Sequence, residues 1–288
     1  MDAMSYRSVF RPALFAGQTV VVTGSGSGIG RCTAHELAAL GAHVVLVGRT
    51  EARLTAVAAE IREDGGEASH AACDIRDEEA VKATVAAVLA ARGRIHGLVN
   101  NAGGQFPAPL AGISARGWQA VIANNLTGGF LMARECYTQC MRAQGGAIVN
   151  MLADMWHGMP GMGHSGAARA GMLNFTETAA CEWAPVRVNA VAPGWIASSG
   201  MDTYPDAMKP LIQSLPRHVP AARLGTESEV SGAIVFLLSE AAAFISGACL
   251  RIDGAAPNAR RHWMMSGGQA APEYQGFHRG VRPRVLGD

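Results

Sequence analysis

Short apolar runs alternate along this chain with longer runs that are rich in Ala. The short runs are apolar at successive positions, so both of their faces are hydrophobic, which is typical of strands covered by helices on each side. The chain predicts seven such strands: "TVVVT" (19–23), "HVVLVG" (43–48), "HAACD" (70–74), "IHGLVN" (95–100), "GAIVNML" (146–152), "VRVNAVA" (186–192) and "ACLRID" (248–253).

The Ala-rich runs between these strands predict helices. Their approximate bounds are Ile29–Leu40, Glu51–Glu63, Glu78–Ala91, Trp118–Arg142, Ser165–Trp183 and Glu227–Leu238, with an irregular segment before the last of them. Regular alternation of strands and helices predicts the α/β class: a single-domain Rossmann fold with a doubly wound, seven-stranded parallel sheet and helices on both faces. We expect this domain to cover residues 1–254, and residues 255–288 to form a C-terminal extension, as a solvated arm or at a subunit contact.

Composition limits the class of partner. Hydrophobic residues make up 49% of the 288 residues and charged residues 16%, which favours a well-buried globular core. A formal net charge of +1 indicates no strong preference for polyanions. The C-terminal stretch is locally basic, but a solvated or subunit-contacting arm is favoured there over nucleic-acid binding; its arginines are Arg260, Arg261, Arg279, Arg282 and Arg284.

No targeting or membrane segment is expected. The first residues contain no long apolar run, and no stretch approaches the ~20 apolar residues of a membrane span. The six cysteines form no CxxC pair, and most lie in apolar contexts, so a reduced protein of the cytoplasm is expected. Cys136 and Cys140 are four residues apart, which is weak support for a metal site, and no metal is predicted.

A glycine-rich loop, "TGSGSGIG" (23–30), follows the first strand directly. In such a loop one glycine allows a tight turn, one allows close approach of the backbone to a pyrophosphate, and one allows the helix to pack against the sheet. We assign these uses to Gly24, Gly28 and Gly30. The free N–H groups at the start of the following helix can bind phosphate. A dinucleotide site is therefore predicted, with an ordinary tight turn as the alternative.

The spacing of this loop resembles the short-chain dehydrogenase/reductase family, whose loop has the pattern TGxxxGIG. Three further motifs of that family follow in order: "NNAG" (100–103), "NLTG" (125–128) and "PGWI" (193–196). The resemblance covers about residues 15–254 and implies a homotetramer. It also implies that the cofactor is contacted by Thr23, Gly24, Ser25, Ser27, Gly28, Ile29, Gly30, Asp74, Ile75, Asn101, Ala102, Gly103, Arg169, Pro193, Gly194 and Ile196.

The end of the second strand indicates which nicotinamide cofactor is bound. NAD enzymes usually place an acidic residue there, on the ribose 2′-hydroxyl. Here the strand continues as "VGRTEAR", with Arg49 in that region and Arg53 one turn later. A guanidinium can bind a 2′-phosphate through two hydrogen bonds, so NADP(H) is predicted. The alternative is that both arginines are surface residues.

The catalytic residues of the family are largely missing. The resemblance places the family's lysine at Arg169, its tyrosine at Ser165 and its serine at Leu152, and retains only Asn125. A serine hydroxyl is a much weaker acid than a phenol, and a guanidinium does not release its proton. Arg169 can still hold the ribose hydroxyls of the nicotinamide, as the family's lysine does.

One branch of the family also lacks this tyrosine. The segments "CDIRDEE" (73–79), "GGQF" (103–106) and "HSGAARAG" (164–171) resemble the peroxisomal trans-2-enoyl-CoA reductases, which use NADPH. The chain has no Ser-Lys-Leu-type ending, so a bacterial or cytosolic relative is expected, with an acyl-CoA or terpenoid substrate. Reduction of a double bond conjugated to a thioester depends mainly on stabilising the enolate oxygen.

The predicted catalytic residues are Asn125, Ser165, Arg169 and Asp154. Ser165 is the first choice for a hydrogen bond to the substrate oxygen. For Asp154 and His157, the favoured interpretation is a loop residue whose side chain bonds to the backbone. For His164, a helix cap and a donor at the site are equally favoured. Tyr204 is favoured as a surface tyrosine, with a substrate contact from a lid as its alternative.

Two other functions compete with enoyl-CoA reduction. One is an alcohol or ketone oxidoreductase, for example for a terpenoid alcohol, and the other is a catalytically silent dinucleotide-binding scaffold.

Overall fold

The computed structural model describes residues 5–258 and 269–287. Seven parallel strands form one sheet in the order β3-β2-β1-β4-β5-β6-β7. This confirms the predicted Rossmann-like α/β fold. The strands are β1 (Thr19–Thr23), β2 (His43–Gly48), β3 (Glu67–Ala72), β4 (Gly97–Asn100), β5 (Ala147–Met151), β6 (Arg187–Pro193) and β7 (Cys249–Ile252).

Helices cover both faces of the sheet and supply its two main hydrophobic clusters. Helices α1, α2 and α9 pack on one face, and α3, α5 and α7 pack on the other. The helices are α1 (Gly28–Ala39), α2 (Glu51–Glu63), α3 (Glu78–Arg92), α4 (Ala115–Ile122), α5 (Gly128–Cys136), α6 (Arg142–Gln144), α7 (Gly163–Glu182), α8 (Lys209–Ser214) and α9 (Glu227–Leu238).

Three elements differ from the prediction. Strand β3 begins at Glu67 and ends at Ala72, earlier than the expected 70–74, and as an edge strand it tolerates polar residues such as Ser69. The expected long helix at 118–142 is divided into α4, α5 and α6 by two π-helical turns, Ala123–Thr127 and Tyr137–Met141. The expected irregular segment after β6 contains α8 and several 3₁₀ turns.

The C-terminal residues 269–287 pack on their own domain. Arg279 pairs with Asp64 at 2.7 Å, while the side chains of Phe277 and Val285 are buried. Arg282 and Arg284 are exposed. Arg260 and Arg261 lie outside the described residues. A subunit contact of this tail stays a prediction.

The sheet topology determines where ligands can bind. Strand β1 pairs with β2 on one side and with β4 on the other, so the direction of the strand order reverses there. In such sheets the crevice at the carboxyl ends of the strands binds ligands. Within the described ranges, no helix is long and apolar enough to cross a membrane.

Candidate active site

A cleft of about 320 Å³ opens at the carboxyl end of β1. It brings together nine of the predicted cofactor residues: Gly24, Ser27, Arg49, Arg53, Asp74, Ile75, Asn101, Ala102 and Gly103. The sequence analysis did not identify the other lining residues, which are Gly26, Gly48, Thr50, Leu54, Cys73 and Asn124. Most of these are loop neighbours of predicted residues, so chain proximity alone would have suggested them.

The three glycines of the loop have distinct geometries. Gly24 has φ +67°, and a Cβ atom there would lie 2.8 Å from Ala102 Cα. A Cβ atom on Gly30 would lie 2.5 Å from Gly24 O, so α1 can start this close to the loop only with glycine. Gly28 has φ +58°, and the nearest side-chain atom to its Cβ position is 3.8 Å away. A side chain at Gly28 would meet Glu227 only at ordinary contact distance, so the positive φ is the reason for glycine at this position.

Asn101 and Thr23 hold the loop in this shape. The Asn101 side-chain amide donates to Thr23 O at 2.9 Å. Thr23 Oγ1 accepts from the backbone N–H groups of Asn101 and Ala102, both at 3.0 Å. Ser25 is fully buried, and Ile29 packs against the core rather than lining the cleft. Thr23, Ser25 and Ile29 therefore support the loop without lining the cleft, whereas Asn101 both holds the loop and lines the cleft.

The charges at the far end of the cleft favour an anion. Arg76 donates from Nε to Asp74 at 2.8 Å, and this contact lowers the pKa of Asp74 to about 2. The Asp74 carboxylate is thus already paired with a cation. Arg49 and Arg53 are exposed and line the cleft, and neither forms an ion pair with any described residue. Two free guanidinium groups at this position fit a ribose 2′-phosphate.

Helix α7 places Ser165 and Arg169 one turn apart on the same face. Ser165 is fully buried and donates from Oγ to Gln105 Oε1 at 2.6 Å. Arg169 is 8% exposed, and its Nη1 donates to Met151 O. Burial lowers the pKa of Arg169 to about 10, so the group stays charged at neutral pH. No carboxylate of the described residues pairs with it.

Asn125 completes this group from the first π-helical turn. Its side chain accepts from Gly104 N at 2.8 Å and donates to Gly104 O at 3.0 Å. A Cβ atom on the neighbouring Gly103 would lie 2.6 Å from Arg169 Nη2 and 3.0 Å from Asn125 Oδ1. The backbone at 103–104 therefore fits between Asn125 and Arg169. The structure thus brings together three of the four predicted catalytic residues.

Asp154 lies in a different group. Its backbone N–H donates to Pro193 O at 3.0 Å, and burial followed by the nearby Asp253 raises the pKa of its carboxyl group. No hydrogen bond between Asp154 and Asn125, Ser165 or Arg169 is formed in the described structure. Asp154 Oδ1 is buried without a hydrogen-bond partner among the described residues, so the catalytic role and the loop role of this carboxylate both stay predictions.

The two histidines also have local roles. His164 is fully buried in the first turn of α7, and its Nδ1 accepts from the backbone N–H of Ser165 at 2.9 Å. The N-cap residue of α7 is Met162, so the interpretation of His164 as the helix cap was wrong. Its ring meets the edge of the Phe106 ring at a centroid distance of 4.5 Å. His157 is exposed and has φ +68° in a turn. Neither contacts the hydroxyl of Ser165.

Leu152, at the position of the family's serine, belongs to an apolar cluster with Met172, Ala190 and Ala192. It is 2% exposed. This side chain cannot bind a carbonyl oxygen, so polar contacts to a substrate would have to come from other residues of the site.

The strand end at Pro193 leads into residues 197–218, here called the lid segment. Gly194 lies against Asp253, where a Cβ atom would come within 2.9 Å of Asp253 Cα, and Ile196 is buried and bridges to Gly225. Within the lid segment, Tyr204 Oη accepts from Gln105 Nε2 at 3.2 Å. Gln105 lies in the GGQF motif but was given no role, so the contacts that it makes to Ser165 and Tyr204 were also missed by the sequence analysis.

Comparison with known proteins agrees with this geometry. Residues 24–255 match the family model described as Enoyl-(Acyl carrier protein) reductase. A protein of Bacillus subtilis (strain 168) named "Probable 2,4-dienoyl-CoA reductase" is 35% identical, covering 82% of this chain and 95% of its own length. The 3-oxoacyl-[acyl-carrier-protein] reductase of Synechocystis sp. (strain ATCC 27184 / PCC 6803 / Kazusa) is 38% identical, covering 82% and 96%.

A solved structure is more similar in sequence. The citronellol catabolism dehydrogenase AtuB of Pseudomonas aeruginosa PAO1 is 65% identical, with a TM-score of 0.79, covering 87% of this chain and 99% of that one. The relatives thus include enzymes named for double bonds and for carbonyl or alcohol groups. From the fold, the glycine loop and these matches together, the chain belongs to the short-chain dehydrogenase/reductase family and is an oxidoreductase of that family.

Proposed function

We propose that this chain is an NADP(H)-dependent enoyl-CoA reductase that reduces the C2=C3 double bond of an acyl thioester. The observation that supports it most is the pair Ser165 and Arg169 on one face of α7. The pair offers one hydroxyl donor and one buried positive charge, with no phenol on the helix. This set suits stabilisation of a developing oxyanion better than proton exchange with an alcohol.

The cofactor proposal depends on Arg49 and Arg53 in the cleft. They would hold a 2′-phosphate, while the backbone at Gly28 would approach the pyrophosphate. Arg169, beside Asn125 and Gly103, would hold the nicotinamide ribose. The bound nicotinamide supplies the hydride of the reaction.

The residues of the chain supply the remaining parts of the reaction. Ser165 Oγ would donate to the thioester oxygen, and the Arg169 charge would stabilise the enolate at short range in a water-poor site. The apolar surroundings of Leu152 keep water away from the acyl group. Phe106 is 40% exposed and Leu110 is 66% exposed, so the loop after β4 offers apolar surface for an acyl chain.

A second function is supported by the name of the most similar solved structure quoted above. AtuB is named a citronellol catabolism dehydrogenase, which favours a terpenoid alcohol or its carbonyl form as the alternative substrate. The same name favours a branched, isoprenoid chain within the enoyl-CoA proposal.

We also propose a homotetramer in the cytoplasm on the basis of family resemblance. Sedimentation of the purified chain tests the assembly.

One assay separates these functions. NADPH oxidation is followed with crotonyl-CoA, with a branched enoyl-CoA and with a panel of ketones, and NADP⁺ reduction is followed with terpenoid alcohols. We expect turnover of the enoyl thioesters, and faster turnover with the branched chain. Turnover of alcohols or ketones alone would favour the second function. Cofactor binding without turnover of any compound would favour a silent scaffold.

A further inference from the structure

The Ser165 hydroxyl is not free to meet a substrate. Ser165 is fully buried, and its Oγ donates to the side-chain oxygen of Gln105 at 2.6 Å. Gln105 belongs to an exposed stretch of the loop after β4. A substrate oxygen can receive the Ser165 proton only by taking the place of the Gln105 amide oxygen.

The other end of the same amide touches the lid segment. Gln105 Nε2 donates to Tyr204 Oη at 3.2 Å. Because the phenol oxygen is the acceptor, the phenol proton is not used in this bond and can be donated elsewhere. Tyr204 and Ser165 therefore face opposite ends of one planar group.

The Gln105 amide has the shape of the reacting part of an unsaturated thioester. In both groups a planar carbonyl carbon is bonded to an oxygen and to a second trigonal atom. That second atom is the nitrogen in the amide and the α-carbon in the substrate. The carbonyl oxygen lies roughly 2.3 Å from the nitrogen in the amide and from the α-carbon in the substrate. The N–H bond to Tyr204 lies in the amide plane, whereas a proton adds to the α-carbon from above or below the enolate plane. With its oxygen against Ser165 and its plane turned about the axis from that oxygen to the α-carbon, the substrate would set one face of the α-carbon against Tyr204.

Tyr204 is the one tyrosine whose hydroxyl reaches this place. Tyr6 bonds the buried Glu36, Tyr137 stacks on Trp183, and Tyr274 donates to Arg7 O. All four tyrosines of the chain lie within the described ranges.

We propose that Tyr204 is the proton donor of this site, facing the α-carbon of a substrate whose carbonyl takes the place of the Gln105 amide. The proposal rests on the enoyl-CoA reduction proposed above. Hydride adds to the β-carbon, and the double-bond electrons form a new C–H bond at the α-carbon as the Tyr204 O–H bond breaks. The phenolate then recovers a proton from water, so one hydride and one proton are consumed for each bond reduced.

Kinetics test the two residues separately. We expect Tyr204→Phe to lower kcat for a branched enoyl-CoA about 100-fold, with KM and NADPH affinity nearly unchanged. Tyr137→Phe, the matched control, should keep full activity, since its ring stacks on Trp183 away from the cleft. Gln105→Ala should lower KM severalfold with kcat retained, because the amide no longer competes for Ser165.

A second measurement needs neither substrate nor cofactor. Hydrogen exchange of residues 199–208 should be faster by severalfold in both Gln105→Ala and Tyr204→Phe if the Gln105–Tyr204 contact holds the lid segment. Full activity in Tyr204→Phe, or unchanged exchange in both variants, overturns the assignment alone. A wild-type chain that reduces no enoyl-CoA overturns the proposed function and this assignment with it.

Discussion

At residue 49 a guanidinium stands where NAD enzymes of this fold carry an acid. Arg49 lines the cleft, and it is not paired to a carboxylate among the described residues. We expect Arg49→Asp to weaken NADPH binding by about 2–3 kcal/mol, since the new carboxylate repels the 2′-phosphate and a charge-assisted contact is lost. Titration calorimetry measures this. Arg11→Asp, an exposed arginine outside the cleft, should leave the affinity unchanged.

Ser165 is the second residue for which we expect a large effect of substitution, because its hydroxyl is the proposed donor to the substrate oxygen. We expect Ser165→Ala to reduce kcat for enoyl-CoA by about 10- to 100-fold, the lower part of the range for loss of one oxyanion donor. NADPH affinity should stay nearly the same, because the proposed cofactor contact on α7 is Arg169. Steady-state kinetics and calorimetry on the same preparation check both expectations. An unchanged kcat would remove Ser165 from the proposed site.

Among the elements, the junction of the glycine loop with α1 leaves no space for a side chain. The Cβ atom of Gly30→Ala would overlap Asn101 Nδ2 and lie 2.5 Å from Gly24 O. We expect a loss of about 1–3 kcal/mol in unfolding free energy, together with weaker cofactor binding, because the loop must shift.

Gly232→Ala in α9 is the matched control for this change. No atom lies within 4 Å of its Cβ position, so alanine should stabilise the helix by up to about 1 kcal/mol. Urea unfolding of both variants measures the difference. Equal stability of the two would show that the loop and α1 are not held as tightly as their geometry indicates.

For the whole molecule, acid stability depends on a buried histidine that links α1 to α2. His35 contacts Glu60 and Asp64, each at 3.2 Å, and burial lowers its pKa to about 4. An unfolded histidine titrates near 6.5. Between about pH 6.5 and 4 the unfolded chain therefore binds more protons than the folded chain, and stability falls as the pH falls through that window.

We expect this histidine to contribute about 2–3 kcal/mol of the stability lost across the window. His35→Gln should flatten the dependence of the urea midpoint on pH between 6.5 and 4, while His218→Gln, an exposed histidine, should not. A wild-type midpoint that is constant over this window would contradict the assignment.

The local pattern of apolar and polar residues was sufficient to predict most strands and helices of this fold. The bounds of β1, β2, α2 and α9 agree with the prediction because apolar runs, β-branched residues and alternation are properties of neighbouring positions. The expected β3 was misplaced because an edge strand such as Glu67–Ala72 is only partly buried and lacks a continuous apolar run.

The sequence by itself also determined the glycine loop, the arginines after β2 and the replacements at Ser165 and Arg169, since these depend on residue types at fixed spacing. Only the tertiary structure decided what surrounds them. Gln105, Ser165 and Tyr204 come from a loop, a helix and the lid segment, and no local pattern specifies contacts between side chains so far apart in the chain. Likewise, the docking of residues 269–287 on α2 depends on ion pairs such as Arg279–Asp64, which form only after the helices have packed.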